Sequence, residues 1–285
     1  MKTLINTAIV ACLAATSLSA LGQTTGWLQT GAGPHNYTNT ANWVGGAVNG
    51  IWDSSLTLTA AQTALFDADA IVPALTFGYT GNFDLTLRSD GMANRTLALG
   101  GDISVATVGT RTVNIGSTAA NSALNIDLGG ATRTFNANAS RNLVVLNVVT
   151  NGGLNITGGG AVALSGANTF TGGVNLKSGK VRLGNASALG AGTFNIGDTV
   201  GTTPVSLEST VGSLVNSQDN PQNWNQDFAF SPTQSLNLGT GWEPARTGPP
   251  STAPVSSRSP AARSSWRQTR PRRSPSPSIS ARHRA

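Results

Sequence analysis

The residues through which this sequence could do chemistry are few and scattered. Two histidines are present, His35 beside Pro34 and His283 near the C-terminus, so no pair stands at metal-ligand or catalytic-triad spacing. Eleven carboxylates lie between residues 23 and 242, and Asp67-Ala68-Asp69 is the one close pair among them. In extended chain both of its side chains share a face, as a calcium site or an acid/base pair requires. A hard cation takes about six to eight oxygen ligands, and Ile71-Val72-Pro73 follows in place of further donors, so the pair reads as a solvated turn or strand end. Gly158-Gly159-Gly160 is followed by no Lys-Ser or Lys-Thr and by no helix start, which removes a phosphate-loop reading. Residue types therefore assign no catalytic group, no cofactor site and no metal site.

Two sets of residues remain as contacts for surface glycans or other cell-surface components. Lys180 and Arg182, with Lys177 close by, alternate with Val181 and Leu183, so they share the solvent face of a strand and suit an acidic glycan. Trp27, Trp43 and Trp52 have ring faces that could stack on pyranose sugars, although aromatic residues more often fill packing volume, and packing is the leading reading.

The elements that must position these groups are set by the stretch from Gly158 to Gly197. Val162 and Leu164, Val174 and Leu176, Val181 and Leu183, and Phe194 and Ile196 each sit two apart, which places each pair on one face of a strand. Gly172-Gly173, Ser178-Gly179 and Gly190-Ala191-Gly192 separate them as turns. The segment ALSGANTFTGGVNLKSGKVRLGNASALGAG, residues 163–192, resembles the autotransporter-associated β-strand repeat, also called the passenger-associated transport repeat. Members of that family read roughly LSGxNTYTGGTxxxxGxLxLGxxxALG, and the likeness runs without a gap. It implies an exported bacterial protein whose body is a passenger-type stalk.

From Phe83 onward one triplet keeps returning: an apolar residue, Asn, an apolar residue. Val113-Asn114-Ile115, Leu124-Asn125-Ile126, Leu154-Asn155-Ile156, Val174-Asn175-Leu176 and Phe194-Asn195-Ile196 are examples. Asn is poor in ordinary strands, so its repetition is informative. Asn114, Asn125, Asn136 and Asn147 are eleven apart, and Asn155, Asn175 and Asn195 are twenty apart. Two strands per coil of about twenty residues fits both spacings and predicts an all-β, right-handed parallel β-helix over 83–240. Its Val, Leu and Ile face inward and its Asn ladder outward. A β-sandwich is the alternative that many short strands also permit.

Composition misleads until the chain is divided. Net charge is +6 and the pI near 10.4, but nine of the eighteen basic residues are arginines beyond residue 245. Residues 23–242 hold eight Lys and Arg against eleven Asp and Glu, so the body is mildly acidic and nucleic acid is not its partner. Residues 1–22 read as a secretory signal peptide with cleavage before Gln23, which leaves no transmembrane segment; acylation at Cys12 is the rival reading. Residues 23–82 are rich in aromatic residues, Trp27, Tyr37, Trp43, Trp52, Phe66, Phe77 and Tyr79, and are predicted to cap the stack. Residues 241–285 change to a Ser, Pro, Arg and Ala mixture, predicted as a disordered tail and consistent with an altered reading frame. The expected role is structure, display or adhesion at the cell surface; a polysaccharide-active β-helix enzyme or a glycan-binding module is the alternative.

Overall fold

The computed structural model describes residues 26–31, 33–43, 50–52, 56–106, 111–198, 203–230 and 234–240. Over them the chain winds as a parallel β-helix with three faces. Face 1 stacks nine strands in chain order: Gly33–Asn36, Gln62–Phe66, Leu85–Ser89, Thr112–Ile115, Asn142–Val145, Ala161–Leu164, Gly179–Leu183, Val205–Ser209 and Ala229–Phe230. Face 2 holds four, Ala70–Val72, Arg95–Leu99, Leu124–Asp127 and Val149–Thr150. Face 3 holds eight, Ile51–Trp52, Leu75–Phe77, Ile103–Val105, Thr132–Ala137, Gly153–Thr157, Val174–Leu176, Phe194–Ile196 and Gln222–Trp224. A further parallel pair joins Leu214–Val215 to Leu236–Asn237. The one helical element among the described residues is a short 3₁₀ turn, Thr40–Asn42.

Alternation within each strand decides which side chains go inside. On face 3, Leu75, Ile103, Phe135, Ile156, Leu176, Ile196 and Trp224 lie in register on successive coils. The first six are fully buried, and they form a continuous apolar column along the interior. On face 1 the matching column runs Leu85, Val113, Leu143, Val162, Val181, Leu207. The Asn residues between these positions point outward. Asn175 Nδ2 donates to Asn155 Oδ1 at 2.9 Å, Asn195 to Asn175 at 2.6 Å, and Asn223 to Asn195 at 2.7 Å. That ladder was legible from the twenty-residue spacing except for Asn223, which lies twenty-eight residues beyond Asn195.

Two expectations need correction. The eleven-residue spacing does not mark two strands per coil. Asn114, Asn125 and Asn136 sit on faces 1, 2 and 3 of a single coil, so the spacing measures the step from strand to strand around the turn. Coils with three faces are longer: Val113 to Leu143 is thirty residues, whereas Leu143 to Val162 and Val162 to Val181 are nineteen each. The boundary at residue 83 also shifts. Gly33–Asn36, Gln62–Phe66 and Leu75–Phe77 already belong to the continuous sheets, so the aromatic segment forms the first coils as well as covering their end. The predicted signal peptide and tail lie outside the described residues.

The interior column and the outer ladder differ in what they tolerate. Leu176→Asp places an unpaired charge where every neighbour is apolar and is expected to cost several kcal/mol. Asn175→Ser removes half-exposed amide bonds and is expected to cost about 1 kcal/mol. Urea denaturation of both variants beside the parent checks the order, which reverses if inside and outside are misassigned.

Candidate functional site

Trp27, Trp43 and Trp52 are 3%, 2% and 0% exposed. Trp27 and Trp43 meet edge to face at 5.0 Å and pair through an antiparallel bridge, and Trp52 stacks on Phe77 at 5.0 Å. Tyr37 joins them by stacking on Phe66 at 4.1 Å. The indole N–H of Trp27 donates to Gln62 Oε1 and that of Trp43 to the Tyr37 carbonyl. Burial lifts the Tyr37 phenol above its ordinary pKa range. Stacking on a sugar requires an open ring face, and these rings have none. The glycan contact assigned to the three tryptophans is therefore corrected: they are the packed interior of the first coils.

The carboxylates are used as braces between coils. Asp69 accepts the Thr96 backbone N–H at 2.8 Å, Asp84 that of Thr112 at 2.9 Å and Asp102 that of Thr134 at 2.7 Å, each one coil further along. Asp67, the neighbour of Asp69 in sequence, instead accepts the Thr38 hydroxyl on the preceding coil. The two members of the close pair thus serve different coils. Among the described residues no group of three His, Cys, Asp or Glu side chains could hold a metal ion.

The repeat-like segment also has a physical explanation. Between Val149–Thr150 and Leu214–Val215 the described residues place no strand on the second side of the coil, and side chains take over the bonds that a strand would make. Asn168, 2% exposed, accepts the Val149 N–H at 2.8 Å and donates to the Ala188 carbonyl at 2.7 Å, so one amide ties three coils together. Phe170 is fully buried in the core cluster that also holds Ala188 and Leu189. Gly190 has positive φ, and a β-carbon there would collide with the Phe170 backbone and ring. These contacts explain Asn168, Phe170 and Gly190 without invoking a ligand.

What remains is a groove of about 570 Å³ at the edge of face 1. Its floor is made of small residues, Gly159, Gly160, Ala161 and Gly179. Lys180 and Arg182 line it from the strand Gly179–Leu183 and are half-buried, as alternation predicts for outward positions. They are not free cations. Glu208 on the next coil lies 3.3 Å from Lys180 Nζ and 2.7 Å from Arg182 Nε, and Arg182 Nη1 reaches back to Asn142 Oδ1 at 3.2 Å. Arg141 also lines the groove, is only 8% exposed, and has Nε and Nη1 groups without a hydrogen-bond acceptor. Burial pulls its pKa below the ordinary arginine range, with the Tyr79 phenol opposing that shift. The sequence brought Lys180 and Arg182 into view through their spacing but gave no sign of Arg141 or Glu208. Each is distant in sequence and joins the cluster only through stacking.

The chain matches no known family model, no curated protein and no solved structure.

Burial raises the Glu208 pKa, but hydrogen bonds and charge from Arg182 and Lys180 outweigh it, so the net value lies below the ordinary glutamate range. A folded-state pKa below the unfolded one contributes stability that is present above the unfolded pKa and lost as pH falls through the folded value. Melting temperatures measured from about pH 7 down to about pH 3 should therefore drop more steeply for the parent than for Glu208→Gln. At neutral pH the variant should already melt lower, since Lys180 and Arg182 lose their counter-charge.

Proposed function

We propose that this chain is the β-helical stalk of an exported bacterial protein and acts at the cell surface in structure, display or adhesion. The observation that carries the reading is the use of polar side chains along the coils. The Asn ladder, the Asp braces and Asn168 connect one coil to the next, which suits a load-bearing spacer. The resemblance of residues 163–192 to the autotransporter-associated repeat supports the same class. A signal peptide over residues 1–22 would deliver such a stalk across the inner membrane. No described helix is long and apolar enough to cross a membrane.

Expression with the native N-terminus in a Gram-negative host tests this. The protein should be recovered outside the cytoplasm with Gln23 as its first residue, and intact cells should expose it to added protease. An uncleaved chain retained in the cytoplasm contradicts the proposal; an acylated Cys12 replaces cleavage before Gln23 with lipoprotein processing.

A further inference from the structure

Strands of this stack pair in parallel, as Gly33–Asn36 does with Gln62–Phe66 and Ile51–Trp52 with Leu75–Phe77. Trp27 and Trp43 are joined the other way, by an antiparallel bridge at the first end of the stack. Face 3 begins at Ile51–Trp52, and there the Trp27 N–H donates to the Ile51 carbonyl at 2.9 Å while the Leu28 N–H donates to the Asn42 carbonyl at 2.8 Å. The Trp27 ring packs against Trp43, Trp52 and His35, with centroids 5.0, 5.6 and 6.3 Å away. Residues 26–31 thus run across the first end and add no parallel strand to it.

Gln62 fastens this segment. It opens a strand of face 1 on the inward side shared with Ala64 and Phe66, and it is only 3% exposed. A buried amide is costly unless its polar atoms are satisfied. Here Oε1 accepts the Trp27 indole N–H at 3.1 Å, and Nε2 donates to the Gln29 carbonyl at 2.6 Å and the Gly31 carbonyl at 3.0 Å. Thr59 adds a second fastening, since its N–H and hydroxyl both donate to the Thr30 carbonyl, at 2.9 and 3.0 Å.

We propose that residues 26–31 are a strap, latched by Gln62, that closes the first end of the stack to a second copy of this chain. An open sheet edge is a template for pairing, and a segment laid antiparallel across it removes that template. Without the strap, the layer of Tyr37, Trp43 and Trp52 becomes the end of the stack. Two such ends meeting about a two-fold axis present identical aromatic layers and bring the Ile51–Trp52 edge antiparallel to its copy, so the surface is complementary to itself. Aromatic side chains of about 150–250 Å² each, three per copy, give a joint area on the order of 1,000 Å², the lower bound for a specific interface. The strap acts in this way whether or not the chain is a surface stalk.

Sedimentation and tryptophan fluorescence of the full chain test it. The parent should be a monomer. Gln62→Leu combined with Trp27→Ser removes the latch and the anchor of the strap, and its sedimenting mass should double with β-type circular dichroism retained. Gln62→Glu tests the latch within one folded protein. The protonated acid still accepts one bond and donates another, whereas the carboxylate faces the Gln29 and Gly31 carbonyls and cannot donate. Burial raises the pKa of such a group, so acrylamide quenching of tryptophan should rise reversibly between about pH 5 and about pH 8 in this variant and not in the parent. A parent that already dimerises, or a double variant that stays monomeric, shows that the strap does not guard this end and overturns the proposal. A double variant that loses its β-type signal does the same, because a segment whose release unfolds the coils beneath it is core and not a strap. Quenching of Gln62→Glu that does not change with pH overturns the latch.

Discussion

Parallel stacking in register is the constraint on which this structure depends. Each inner strand of the nine-stranded face pairs with the strand one coil before and one coil after it, so like positions are forced to lie above one another. An interior so narrow accepts apolar side chains and little else. It also makes the columns interdependent, because every buried residue is packed mainly by its counterparts on adjacent coils. The Leu75 to Trp224 column and the Leu85 to Leu207 column are two expressions of this single rule.

The same rule determines what happens to polar side chains. Near coil corners, where the strand ladder is interrupted, backbone N–H groups need acceptors, and Asp69, Asp84, Asp102 and Asn168 supply them. Carboxylates that might suggest catalysis in a sequence are thereby committed to holding coils together. Arg141 departs from this pattern: its buried Nε and Nη1 have no acceptor, as is also true of Arg95 Nε and the Trp52 indole N–H.

Much of the fold was legible in the sequence because a solenoid repeats its environment. Residues two apart marked the strands, and Asn155, Asn175 and Asn195 at a constant interval marked the coil length and the outward direction. The reading lost accuracy where the repeat changes form. Upstream coils carry a third strand, so the eleven-residue interval between Asn114, Asn125 and Asn136 was assigned to the wrong geometric step. The tryptophans could not be placed from composition alone, since a Trp suited to a sugar face and one suited to a core look alike in sequence. The charged groove was half visible. Lys180 and Arg182 are local neighbours, whereas Glu208 reaches them from the next coil, a relation carried by register and not by any motif.

Register is therefore where the account is most exposed, and disulfide trapping measures it directly. Asn175 and Asn195 are paired neighbours on adjacent parallel strands, within the separation a disulfide spans. The chain's only native cysteine, Cys12, is replaced by Ser so that it does not interfere. Mild oxidation of the protein carrying Asn175→Cys and Asn195→Cys should close an intramolecular bond, whereas Asn175→Cys with Lys180→Cys, which sit on different faces, should stay reduced. A folded protein in which the first pair stays reduced and the second closes would contradict the parallel β-helix.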